Sequence, residues 1–95
     1  MARYITLLRF TDLGARAIKK SAARAAGFRK AAEKAGIIVE AQYWTAGAYD
    51  GVLILSADSE QTVLHCLASL GAAGNVRPES MQAFDAKEFG AITGR

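Results

Sequence analysis

An α+β domain, one antiparallel sheet backed by two helices, is the fold class this sequence predicts. Three observations lead there. The chain has 95 residues, enough for one hydrophobic core and too few for a second. Its apolar spacing passes from period two to helical and back, twice in succession. Its apolar share is 52%, but 20 of those residues are alanines, which leaves larger side chains for a compact two-layer core and a helix small enough in section to lie close to a sheet.

The elements follow in order. Residues 3–10, Arg-Tyr-Ile-Thr-Leu-Leu-Arg-Phe, read as a strand with Tyr4, Thr6, Leu8 and Phe10 on one face and Ile5, Leu7 and Arg9 on the other. Thr11-Asp12-Leu13-Gly14 breaks it, and Asp12 is placed to cap a short turn running through Lys19. Ser21 is the expected N-cap of the main helix, which runs to about Ala35 with Ala25, Phe28, Ala32 and Ala35 as its apolar stripe. Gly27 inside that helix costs up to about 1 kcal/mol against alanine and so suggests a close backbone approach. Gly36 suits the helix C-terminus.

Residues 37–45 form the second strand, with Ile37, Val39, Ala41 and Tyr43 facing one way and Ile38, Glu40, Gln42 and Trp44 the other. Ala46-Gly47-Ala48 is a short hairpin link. Residues 49–56 are a third strand, apolar through its centre. Asp58 with Gln61 resembles a capping box for a second helix to about Leu70, burying Val63, Leu64, Leu67 and Leu70. Gly71 and Gly74 end that helix. Residues 75–84 give a fourth strand, which Pro78 assigns to a sheet edge, and Asp85 with Glu88 caps a last helical turn.

The order β-α-β-β-α-β, with right-handed crossovers, places the strands 4-1-3-2, antiparallel, with both helices on one face: a ferredoxin-like plait over residues 1–95. The other face is then a problem. Strands one and three are apolar on both sides, whereas an antiparallel sheet facing water should alternate. A second subunit on that face, giving a homodimer or higher homo-oligomer, is the expected solution.

Twelve basic against nine acidic residues give a net charge of +3, unevenly placed. Arg16, Lys19, Lys20, Arg24, Arg29, Lys30 and Lys34 crowd the first helix beside Glu33 alone. A solvated helix face explains this; an anion or nucleic-acid surface is the alternative. RNA binding is not expected, because central positions of the sheet are Leu7, Leu8, Leu53 and Ile54 and offer no aromatic stacking platform. The opening apolar run is too short and interrupted for a signal peptide or a membrane span. A lone Cys66 fits a reducing cytoplasm, and with one His in the chain a structural zinc site is excluded. His65 is expected on the solvent face of the second helix and Cys66 beside its apolar stripe. Gly71-Ala72-Ala73-Gly74 follows a helix, where a phosphate-cradling loop would precede one.

The candidate site lies at one corner. The end of strand one meets the start of strand three, so Arg9, Trp44, Tyr49 and Asp50 should gather there. Two aromatics, an acid and a base can line a small-molecule pocket. The alternative is a cross-strand Arg9–Asp50 pair with the aromatics plugging the end of the core. No cofactor or metal is called for.

Tyr43-Trp44-Thr45-Ala46-Gly47-Ala48-Tyr49-Asp50 resembles the signature of the GYD-domain family, small bacterial proteins named for a Gly-x-Tyr-Asp motif. Thr11-Asp12-Leu13-Gly14, Arg24 with Phe28, Gly74-Asn75-Val76-Arg77 and Glu88-Phe89 are similar to that family as well. Ser56 and Asp58 stand where the family pattern often has an acid and a proline. The resemblance implies a ferredoxin-like fold related to dimeric α/β barrels, no settled activity, and interest in Trp44, Gly47, Tyr49 and Asp50. Gly47 is expected to serve a turn at positive φ. Together these readings give a cytoplasmic, oligomeric small-ligand-binding or regulatory domain. The alternative is a cofactor-independent enzyme, monooxygenase-like or isomerase-like, acting on a small organic substrate at the hairpin.

Overall fold

The computed structural model describes residues 1–94. Strand β1 (Ala2–Phe10) leads through α1 (Asp12–Arg16) and a short 3-10 turn (Ile18–Lys20) into α2 (Ser21–Lys34). Then come β2 (Ile38–Trp44), β3 (Gly51–Ala57), α3 (Glu60–Ala72), β4 (Val76–Gln82) and α4 (Ala86–Thr93). The sheet order is β2-β3-β1-β4, antiparallel throughout, which is the expected 4-1-3-2 read from the other side. Pro78 sits on an edge strand as its missing N–H requires.

The core lies between the sheet and the helices. Tyr4, Leu53, Leu55, Val63 and Leu67 are buried there with Ile37 and Val39. Thr6 is fully buried among them, and its hydroxyl is hydrogen-bonded to that of Ser80 at 2.9 Å. Tyr4 donates its hydroxyl to Glu60 at 2.9 Å, so both polar groups of β1 on this face have partners. Burial, then the Glu60 carboxylate beside it, raises the Tyr4 pKa above the ordinary phenol value.

The junction after β1 is fixed by backbone. Thr11, and not Asp12, caps α1: its hydroxyl accepts from Gly14 N–H at 3.1 Å and donates to the Gly74 carbonyl at 2.5 Å. The Thr11 N–H donates to Asn75 O at 3.1 Å. The threonine hydroxyl can serve both helix and neighbouring loop, which an Asp12 carboxylate one residue later cannot. This brings Gly14 so close to Asn75 that a Cβ there would overlap the Asn75 carbonyl. The close approach expected at Gly27 is therefore at Gly14 instead; a Cβ on Gly27 would meet nothing within 4 Å.

Helix α2 starts without a side-chain cap. It continues directly from the 3-10 turn, so no extended residue precedes it, and the Ser21 hydroxyl accepts the indole N–H of Trp44 at 2.9 Å. Its end is a Schellman turn: Gly36, at φ +87°, donates to Glu33 O and Ile37 to Ala32 O, with Ala32 and Ile37 both buried.

Two expectations about faces fail for physical reasons. Strand β2 does not alternate regularly. Val39 pairs with Leu55 and Ala41 with the adjacent Ile54, so Glu40 is an extra residue, a β-bulge. Beyond it the faces exchange. Gln42 and Trp44 turn toward the helices, where Gln42 donates to Ala25 O at 3.1 Å, while Ala41 and Tyr43 turn to the open face. In α3, capped by Ser59 and not Asp58, Leu64 is 48% exposed. The buried stripe is only Val63 and Leu67 with Leu70 packed at its edge, and Leu64 falls on the flank.

The last helical turn is a helix of eight residues, α4, opened by a full Asp85–Glu88 capping box. Arg3 reaches Glu88 at 2.6 Å and Glu40 at 3.5 Å, tying α4 and the bulge to one end of the open face.

Gly14→Ala should destabilise by about 2–3 kcal/mol or prevent folding, because the clash is with backbone. Gly27→Ala should stabilise by up to about 1 kcal/mol. Urea denaturation of the two variants checks both signs; equal effects would refute the assignment. The Glu88 carboxyl is held below its usual range, first by the Asp85 backbone N–H and then by Arg3. Its contribution is present above the unfolded carboxyl value, about 4.3, and is lost as pH falls through the lower folded value. The methyl signals of Ile92 should therefore shift toward those of a released helix in acid, and Glu88→Gln should remove most of that pH response.

Candidate functional site

The bulge and the α2 stripe leave a gap in the packing. Past Val39 the helix-side positions of β2 hold a polar Gln42 and a half-exposed Trp44, and α2 offers mostly alanines. The result is a cavity of about 390 Å³ between α2, α3 and the β1–β3 end of the sheet, within the roughly 300–1,000 Å³ of small-molecule pockets. Its walls are largely apolar: Leu8 and Phe10 from β1, Phe28 from α2, Leu53 from β3, Leu70 from α3. Polar and charged groups enter from Ser21, Arg24, Gln42, Trp44, Asp50 and Asn75. Cys66 lines it as well, its thiol pKa raised by burial, which makes it a weak nucleophile.

The four residues expected at the corner divide between the two sides of the sheet. Trp44 and Asp50 border the cavity. Asp50 extends the β1–β3 ladder past its last pair: its N–H donates to Leu8 O at 2.8 Å, and its carboxylate accepts the Phe10 N–H at 2.8 Å. Arg9 and Tyr49 lie on the open face. The Arg9 guanidinium sits 4.4 Å from the Tyr49 ring centroid, a cation–π contact, and its Nε donates to Ala48 O at 3.3 Å. Tyr49 donates its hydroxyl across to Glu79 on β4 at 3.0 Å. The Arg9–Asp50 pair therefore does not form. Arg9 alternates with Ile5 and Leu7, whereas the Asp50 side chain is drawn to a backbone N–H beyond the end of β3.

The hairpin link is longer than expected, Thr45–Asp50, pinned by Thr45 N–H to Asp50 O at 2.9 Å and by the Thr45 hydroxyl to Tyr49 O at 2.6 Å. Gly47 adopts φ +150°, the positive φ expected of it.

The cavity's cation, Arg24, was not among the expected site residues. Its Nη1 donates to Ala17 O at 3.0 Å, while its Nη2 is buried with no hydrogen-bond partner among the described residues. One signal for it is present in the sequence: Arg24 interrupts an alanine run one helical turn before Phe28 on the same face. The rest of the basic set is exposed, as a solvated face requires. His65 is exposed on α3. Among the described residues no three His, Cys, Asp or Glu side chains converge on a metal-sized space.

A family model described as the GYD domain matches residues 4–93. No curated protein and no solved structure matches the chain.

Removing the Asp50 carboxylate should act through Phe10. Asp50→Ala leaves that N–H without its acceptor and should cost about 1–2 kcal/mol. Asp50→Asn keeps an acceptor oxygen and should cost less, and Arg9→Gln should change stability by under about 1 kcal/mol. Thermal melts of the three variants give the ranking; an Arg9→Gln loss as large as that of Asp50→Ala would restore the discarded ion pair.

Proposed function

The chain belongs to the GYD-domain family, and from that membership we propose that it is a homo-oligomeric binding module of the cytoplasm. It holds a small, largely apolar organic ligand between α2, α3 and the sheet. The observation that carries this reading is the cavity, whose walls are apolar side chains with a few polar groups among them, the usual composition of a small-molecule site.

The competing reading is a cofactor-independent enzyme. Asp50, the carboxylate of the cavity lining, is engaged with the Phe10 N–H, which supports a positioning role over proton abstraction. Cys66, with its raised pKa, gives no activated thiolate.

Self-association is supported by the open face. Its register puts Ala41, Ile54, Ile5 and Met81 in one row and Tyr43, Val52, Leu7 and Glu79 in the next. The charged groups Arg3, Glu40 and Glu88 border one end, and Arg9 and Arg77, with the polar Tyr49 hydroxyl, the other. An apolar centre with a polar rim is the anatomy of a protein–protein interface. A free thiol at Cys66 fits a reducing compartment, and no described helix is long and apolar enough to cross a membrane.

Two measurements test the proposal. Trp44 is the chain's single tryptophan and borders the cavity, so its fluorescence should report uptake of a neutral apolar probe such as 4-phenylbutan-1-ol. Ala25→Phe, which fills the cavity, should abolish uptake without unfolding the protein. Sedimentation should give twice 10.1 kDa or a multiple, and Tyr43→Lys with Met81→Lys should give a folded monomer. A wild-type monomer at micromolar concentration overturns the oligomer, and uptake unaffected by Ala25→Phe overturns the site.

A further inference from the structure

The cavity lining carries a cation whose hydrogen-bonding capacity is not used up. Arg24 reaches in from the second turn of α2. One arm of its guanidinium is held by Ala17 O at 3.0 Å; the other nitrogen, Nη2, is buried without a partner among the described residues. None of the salt bridges among those residues includes Arg24. A buried guanidinium N–H left unpaired is destabilising, more so than a neutral donor. A guanidinium presents its donors as a planar fork that matches a carboxylate or phosphate edge.

We propose that the cavity selects a monocarboxylic acid with an apolar body, its carboxylate meeting Arg24 and its hydrocarbon lying against Phe28, Leu53 and Leu70. The proposal rests on the binding-site reading above and names its ligand class. A small turn of the Arg24 side chain about its Ala17 anchor presents Nη2 to the ligand. Phosphate esters fit less well, because their second negative charge finds no second cationic side chain in the lining. Asp50 is the other charged group there, and it sets the limit on the ligand's far end. A dicarboxylate would bring a like charge into a low-dielectric space that already holds one carboxylate. Of two chains of equal length, the one with a single carboxylate should be preferred.

The probes are 4-phenylbutyrate, 4-phenylbutan-1-ol and adipate, each titrated into the intact protein and read by Trp44 fluorescence and by calorimetry. The acid should bind at least about tenfold more tightly than the alcohol, and adipate should bind more weakly than the acid. In Arg24→Gln the preference of acid over alcohol should fall to about unity. Arg24→Lys, which keeps the charge without the fork, should retain part of the preference. If Arg24→Gln does not fold, the wild-type comparison of acid with alcohol decides on its own. Equal binding of acid and alcohol by the wild type overturns the carboxylate proposal and leaves the cavity as an apolar site. Binding of neither up to millimolar concentration overturns the binding-site reading itself.

Discussion

One extra residue in β2 sets the arrangement of everything around it. Because Glu40 has no opposite number on β3, every side chain after it changes face, as a one-residue slip in a period-two element must. Gln42 and Trp44 are brought under α2, where they become the outer wall of the cavity and hold its helix by hydrogen bonds to Ala25 O and Ser21. Tyr43 is sent to the open face and extends its apolar surface. Without the bulge, Ala41 and Tyr43 would pack beneath α2, the tyrosine ring would occupy the cavity, and the polar Gln42 would lie in the middle of the open apolar rows. The charge on Glu40 is met by Arg3, which also holds α4 through Glu88, so the irregular strand and the last helix share one anchor.

The helix over the cavity is attached in an unusual way. Only Ala32 of α2 is buried, and an alanine contributes little apolar area. Phe28, half-buried, packs against the core, and side chains bridging to backbone add to it: Gln42 to Ala25 and Arg29 to Val39 at 3.3 Å, with Arg24 to Ala17 tying the helix to the turn before it. Such bonds are directional and each contributes on the order of 1 kcal/mol. They fix where the helix lies without filling the space beneath it. Helix α3, by contrast, is seated by Val63 and Leu67 in the core. The two helices therefore do different work: one closes the core, and the other roofs the cavity.

Much of the plait was legible in the sequence because it depends on patterns repeated along several residues. Alternation in β1 and β3, the spacing of Val63, Leu67 and Leu70, Pro78 at an edge and the Asp85–Glu88 box each state their own structure. What was not legible depends on a single residue or a distant partner. A bulge leaves no mark in composition, so Val39-Glu40-Ala41 reads as regular alternation. Gly14 and Gly27 are both glycines near or in helical sequence; only the position of Asn75, some sixty residues on, separates them. The corner residues were placed at the right end of the sheet. Their division between two faces was out of reach, because Asp50 turns away from Arg9 to satisfy a backbone N–H that the strand pattern does not reveal. Arg24 stands in the sequence among six other cations that are exposed, and only its position one helical turn before Phe28 sets it apart.

Both margins of the sheet are interrupted. On β2 the bulge at Glu40 displaces backbone groups from the regular ladder, and on β4 Pro78 offers no N–H at all. A strand from another molecule approaching either margin would find its hydrogen-bonding register broken within two or three residues, with a carboxylate in the way on one side. Exposed strands are the usual starting points for runaway β-pairing and fibril growth. A small sheet with this much apolar surface is guarded against that fate at both margins, and one of the guards is the irregularity that shapes its cavity.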